Sequence, residues 1–299
     1  MANAPTTLEE LLAPLTLDDF LSLLRRRELA HCSGGDPDSF KTLLNWESLL
    51  ERIRAGEYPR GWADFRLVKE SKNISGAHWF IRNPIDDTVK VDVAKIEEFL
   101  DSGYSLVVTP IQSYVPALKK LSEDIAAKLR EKIKIGVVVT TGVDGAFKLH
   151  FDPEDLIILQ VEGKKRWRIY GPVVSNPVIG MPQPPPPLET SPIFDEVLQP
   201  GDLLFLPAGY WHHCENGPNR SLHLGIFLIP PTYLHVVKAV TSKLVADERF
   251  RLPLTRISHA SELAELEADL KASLIEEIKG LELHGFLSET EEKKAEAIA

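Results

Sequence analysis

Cysteine is almost missing from this sequence. Cys32 and Cys214 are the two thiols in 299 residues, too few for a disulfide framework, and the reducing cytoplasm is the expected compartment. Long apolar runs are missing as well. No uninterrupted stretch approaches the roughly 18 residues of a membrane-spanning helix, so no membrane association is expected. Residues 1–10 have neither a basic opening nor an apolar segment, and no secretory signal is read there. A basic excess is the third absence. Net charge is −10, and residues 261–299, with 11 acidic and 4 basic side chains, carry −7 of it, leaving −3 on residues 1–260. Sequence-independent binding to nucleic acid draws its affinity from Lys and Arg displacing counterions, so this balance argues against a nucleic-acid partner.

Apolar residues are plentiful at 43%, enough for a substantial core. Thr16 followed by Asp18 and Asp19 predicts a helix start, and Phe20, Leu23 and Leu24 continue it as an apolar stripe. Trp46 and Leu49-Leu50 predict a second short helix, residues 96–100 a third, and residues 115–130 an amphipathic fourth. Strands are expected at 66–68, 79–81, 105–109, the β-branched run 133–141, the almost wholly apolar run 156–161, and 165–170. Five prolines within 181–188 predict a stiff, extended connection, either a spacer or a border of a site. After Pro230-Pro231 the pattern turns helical, with Leu263, Leu266, Leu270, Leu274, Ile278 and Leu281 at three- and four-residue spacing.

Chemistry concentrates in two segments. His150-Phe151-Asp152 offers an imidazole and a carboxylate at i and i+2, which a β-strand would turn to one face, and His212 adds a second imidazole sixty residues beyond Asp152. Two His and one carboxylate are the donor set of a mononuclear non-haem Fe(II) site with open positions. His213 competes with His212, but neighbours on a strand face opposite ways, so one of the two should reach the metal. Cys214 would share the face of His212 and reads as a small buried residue. Lys165, Trp167 and Ile169 alternate with Arg166, Arg168 and Tyr170. That pattern turns Lys165 inward, where its ammonium needs an anion, either a ligand or a protein carboxylate. Ser221, His223 and Gly225 form a small, polar face suited to a pocket wall; His223 is either a pocket contact or a hydrogen-bonded core residue, and Gln160 is a weaker pocket candidate.

Two longer runs carry a resemblance. HFDPEDLIILQVEGKKRWRIY (150–170) and PGDLLFLPAGYWHHCEN (200–216) resemble the JmjC-type, cupin-fold oxygenases, in particular the ribosomal-oxygenase branch, with H-x-D, Q-x-E-G, a basic strand and G-D-x-x-x-x-P-x-G-x-x-H in order. The resemblance runs from about residue 15 to 232. It implies a mainly β fold, a double-stranded β-helix (cupin or jelly-roll) barrel flanked by N- and C-terminal helices. The expected divisions are a mixed region over 1–90, the barrel over 91–231 and a helical, dimerising region over 232–299.

The family's register selects His212 over His213 and implies His150, Asp152 and His212 as Fe(II) ligands. It implies Lys165 as the partner of the distal carboxylate of 2-oxoglutarate, with Ser221 and His223 nearby. Family members use a further position shortly before the first histidine; Phe147 stands there and cannot donate a hydrogen bond. The implied reaction consumes 2-oxoglutarate and O2, releases succinate and CO2, and hydroxylates a substrate carbon. A protein or peptide side chain is the first expectation, histidyl because position 165 holds Lys rather than Arg. A small molecule, a peptide natural product or tRNA is the second, and a non-catalytic metal-binding cupin the third. The 69 residues after Pro230 have room for the family's dimerising helices but not comfortably for its winged-helix domain as well.

Overall fold

The computed structural model describes residues 4–59, 64–82, 89–143, 145–184, 186, 190–251, 253 and 259–280. The chain divides into two compact units, 1–229 and 230–299.

In the first unit the chain enters through α1 (Leu8–Leu12) and α2 (Leu17–Arg26). Thr16 caps α2 by accepting from the Asp19 amide at 3.2 Å, as its sequence predicts. After β1 (Ala30–Cys32), α3 (Trp46–Ala55) starts on a reciprocal cap between Asn45 and Ser48. Next come β2 (Phe65–Lys69), β3 (Lys72–Asn73), β4 (Phe80–Arg82) and β5 (Val89–Val91). The expected strand at 79–81 is displaced by one residue. A 3-10 turn over Gly76–His78 delivers Trp79 into the core, and the strand begins after it.

Then follow α4 (Val93–Asp101), β6 (Ser105–Val108), α5 (Pro116–Leu129), β7 (Lys132–Thr140), β8 (Asp155–Glu162), β9 (Lys165–Pro172), β10 (Phe194–Leu198), β11 (Leu203–Leu206), β12 (Tyr210–Asn216) and β13 (Ser221–Ile229).

Eight strands form one antiparallel sheet in the order β1-β11-β8-β13-β7-β6-β2-β3, and β10-β9-β12 form a second. Residues 1–90 contribute β1, β2 and β3 to the larger sheet. Strand β8 shows how the layers are built. Ile157, Leu159 and Val161 join the apolar cluster formed with residues of α1 to α5, while Leu156 and Ile158 pack with Trp167, Ile169 and Leu198 of the smaller sheet. The near-continuous apolar run thus reflects a strand covered on both faces. Two facing antiparallel sheets with helices outside the larger one are the cupin jelly roll.

Gly163 makes the turn from β8 to β9. Its φ is +65°, and a Cβ there would lie 2.0 Å from the Arg220 carbonyl oxygen, so no other residue fits without moving backbone.

The second unit holds α6 (Tyr233–Leu244) and α7 (Ala260–Lys279), and Leu281 lies outside the described residues. Leu263, Leu270 and Ile278 of α7 are exposed. Among the described residues no helix is long and apolar enough to cross a membrane.

Candidate active site

The two sheets enclose a cavity of about 340 Å³, lined in part by His150, Asp152, Lys165, His212 and His223. The His150–Asp152 segment is not the strand expected from its i, i+2 spacing. It is a loop held by a single antiparallel bridge to β12. The His212 amide donates to the His150 carbonyl at 2.7 Å and the His150 amide to the His212 carbonyl at 3.2 Å. Pro153 has no amide with which to extend that ladder. The bridge nevertheless sets the two imidazoles side by side, ring centres 4.3 Å apart.

Donor atoms of His150, Asp152 and His212 all lie within 4.8 Å of one another, and His212 Nε2 is 3.6 Å from Asp152 Oδ2. Each ring spends its Nδ1–H on a backbone carbonyl, His150 on Lys148 at 2.6 Å and His212 on Tyr210 at 3.1 Å. That tautomer leaves both Nε2 lone pairs free, as a metal requires. Burial, then the neighbouring His150, push the His212 pKa down to about 4, so its ring is neutral at physiological pH. These residues fit a divalent ion.

His213 stands opposite Arg168 of β9 and is not among the residues lining the cavity. Cys214 does line it, and burial pushes its thiol up to about 12, so it is not a thiolate that would compete for metal.

Lys165 is 1% exposed. Its Nζ meets the Thr140 hydroxyl at 3.1 Å and His223 Nδ1 at 3.4 Å, and among the described residues no carboxylate pairs with it. Burial pulls its pKa down to about 8. A cation facing two neutral acceptors, with a further donor to place, fits an incoming carboxylate. His223 is held neutral by burial and by Lys165 beside it. Ser221 is not among the cavity-lining residues: its hydroxyl accepts from Gln160 Nε2 at 2.9 Å, and Gln160 also donates to the Glu162 carbonyl.

Sequence reasoning missed Thr140, which carries the Lys165 contact, and the wall residues Arg66, which reaches the cavity from β2, and Lys134, 4.5 Å from the centre of the Phe227 ring. The apolar alternation of β7 could have flagged Thr140 as a polar residue on a buried strand. The proline-rich connection lies against the site, because Gln183 Nε2 donates to the Phe151 carbonyl at 3.0 Å; residues 185, 187 and 188 fall outside the described set.

Residues 112–236 match the JmjC domain. The uncharacterized protein YxbC of Bacillus subtilis (strain 168) is 27% identical, covering 91% of this chain and 86% of its own length. The bifunctional lysine-specific demethylase and histidyl-hydroxylase NO66 of Drosophila willistoni is 32% identical over 42% of this chain, but the match spans only 17% of that relative. The ribosomal oxygenase YcfD of Escherichia coli, in complex with cobalt and 2-oxoglutarate, shares the fold with a TM-score of 0.54 at 18% identity, covering 89% of this chain and 68% of that one. Residues 112–236, the part that matches the JmjC domain, contain the His150–Asp152–His212 cluster and Lys165.

Proposed function

We propose that this protein is an Fe(II)- and 2-oxoglutarate-dependent hydroxylase of a protein or peptide side chain. The observation that carries the reading is one cavity holding both the His150–Asp152–His212 donor set and the buried ammonium of Lys165, with no carboxylate partner among the described residues. His150, Asp152 and His212 would hold the iron. Bound Fe(II) supplies the redox chemistry that couples decarboxylation of 2-oxoglutarate to oxygen insertion into a substrate C–H bond. Lys165 receives the distal carboxylate, Thr140 and His223 orient the ammonium, and the apolar walls around Trp167 and Phe227 exclude water.

A cavity of about 340 Å³ has room for the cosubstrate and one inserted side chain. The histidyl preference rests on Lys165 and on the name of the NO66 relative. The cytoplasm, which supplies 2-oxoglutarate and reduced iron, is part of the same proposal. Treating a protein extract with the enzyme, Fe(II) and 2-oxoglutarate should release succinate and give products heavier by one oxygen atom. Succinate without any such product would point instead to a substrate outside the proteome.

The pH dependence of cosubstrate binding follows from Lys165. Its pKa of about 8 means the amine is already protonated below that pH, so affinity is flat there. Above it, each 2-oxoglutarate bound must bring a proton with it, and affinity falls by up to about tenfold per pH unit. Calorimetric titrations from pH 7 to 9.5 should show this decline in the wild type; a flat profile would count against Lys165 as the anchor.

We also propose that the protein is a homodimer joined through the apolar stripe of α7, of which Leu263, Leu270 and Ile278 are exposed. The net −7 of residues 261–299 opposes such a contact and is screened by salt, so association should strengthen as salt rises. Light scattering at micromolar concentration should give a dimeric mass at high salt. A monomeric mass at both low and high salt rules the dimer out.

A further inference from the structure

Arg66 lies on β2, paired with Val107 of β6, and both residues line the cavity. Its guanidinium carbon sits 5.9 Å from the centre of the Phe147 ring, and that ring is 5.5 Å from the His150 imidazole. One aromatic ring therefore separates the guanidinium from a proposed iron ligand. Stacking over a ring leaves the in-plane N–H groups unsatisfied by the ring itself, and Arg66 Nε is buried with no hydrogen-bond partner among the described residues. Asp64 attracts the cation, but no hydrogen bond joins them among the described residues. A buried donor left unmade is costly, and such a group lining a functional cavity calls for an acceptor from outside the chain.

The wall that carries Arg66 is fixed to the ligand loop. Glu70 and Ser71, both at positive φ, turn β2 into β3. From that turn the Ser71 amide donates to the Ala146 carbonyl at 3.0 Å, and the Ser71 hydroxyl accepts from the Lys148 amide at 2.8 Å. Hydrogen bonds from the turn after Arg66's strand thus hold the loop before His150, which suits a group that must register a substrate against the metal.

Around Arg66 the other charged groups lining this cavity, apart from the proposed ligand Asp152, are Lys134, Lys165 and Glu154. With Lys165 committed to the cosubstrate, the remaining wall carries two cations against one carboxylate. Arg66 is not needed by the iron or by the cosubstrate in the reading above.

We propose that Arg66 selects the target side chain: it donates to a hydrogen-bond acceptor on a neutral or anionic residue and excludes arginyl and lysyl side chains by like charge. This rests on the hydroxylase reading and narrows it to acceptor-bearing targets such as histidine, asparagine or aspartate. Arg66 is a specificity residue that touches substrate, not a group acting on iron.

The test uses the full chain with Fe(II), 2-oxoglutarate and a protein extract, and locates added oxygen by mass spectrometry. Wild type should mark acceptor-bearing residues and leave arginine and lysine unmarked. With the marked peptide synthesised as the probe, Arg66→Gln should raise KM by about 10- to 150-fold, with a smaller change in kcat, the range for losing a hydrogen bond to a charged group. Arg66→Lys should recover part of the loss, which a purely structural role would not predict. Marking centred on arginine or lysine overturns the proposal, as does an unchanged KM. So does a loss of 2-oxoglutarate affinity in Arg66→Gln equal to the KM effect, since that would make Arg66 a cosubstrate anchor. If wild type gives no 2-oxoglutarate-dependent succinate at all, the hydroxylase reading itself fails, and the proposal with it.

Discussion

Replacing His212 with Ala is expected to abolish metal-dependent turnover, while His213→Ala keeps most of it. The two rings are adjacent in sequence yet differ in what they meet. His212 is 3% exposed, lines the cavity and brings Nε2 to within 3.6 Å of Asp152; His213 stands opposite Arg168 and does not line the cavity. The backbone bridge between His150 and His212 does not depend on the imidazole, so His212→Ala should leave His150 in position and remove one donor of three. Two protein donors hold a divalent ion much more weakly than three, and the open coordination positions lose their fixed direction. Iron bound per chain, measured with succinate release, decides the matter. Wild type and His213→Ala should each hold one iron, and His212→Ala should lose it. The reverse pattern would mean that the wrong histidine had been chosen.

The sequence reading was strongest where a local rule governs. Strands β7, β8 and β9 begin within a residue of the expected 133, 156 and 165, because β-branched runs and strict alternation leave few other conformations. The alternation in 165–170 also turned Lys165 inward, and the structure buries it. Failures came where distant chain decides. The strands β1, β3 and β5 have two or three residues each, too short for any periodic pattern, and form because a partner presents an open edge.

His150 and Asp152 converge without a strand because β12, sixty residues away, supplies the bridge. Ser221 keeps the face of His223, because the β13–β7 pairing runs unbroken through both, but its hydroxyl is bonded to Gln160 and it does not line the cavity. Arg66 was read only as part of a short strand. Its setting depends on pairing with Val107 and on a ring, Phe147, eighty-one residues further along. Phe147 itself was correctly excluded as a donor, and its place in the site is apolar: it seats a guanidinium beside His150.

Lys165→Ala is expected to weaken 2-oxoglutarate binding by about 10- to 150-fold, equivalent to the roughly 1.5–3 kcal/mol of a hydrogen bond to a charged group. The cost arises from the cavity's own wall. Without the ammonium, an incoming carboxylate would face the Thr140 hydroxyl and a neutral His223, acceptors and weak donors that cannot balance a buried negative charge. Metal affinity should change little, because Lys165 is not among the clustered donor atoms of His150, Asp152 and His212. The substitution also removes a buried cation that has no carboxylate partner among the described residues, so the folded state should lose apolar contact but not an ion pair. That separates the expected binding defect from unfolding. Lys165→Arg makes a useful companion, since it keeps the charge but forces a larger, planar group into a wall closed by Trp167 and Cys214. Its 2-oxoglutarate affinity should fall between those of wild type and Lys165→Ala. Titration of 2-oxoglutarate into the metal-loaded protein reads all three directly. Equal affinities for wild type and Lys165→Ala would remove Lys165 from the site, and the decline in binding above pH 8 should vanish from Lys165→Ala if the lysine is the group that takes up the proton.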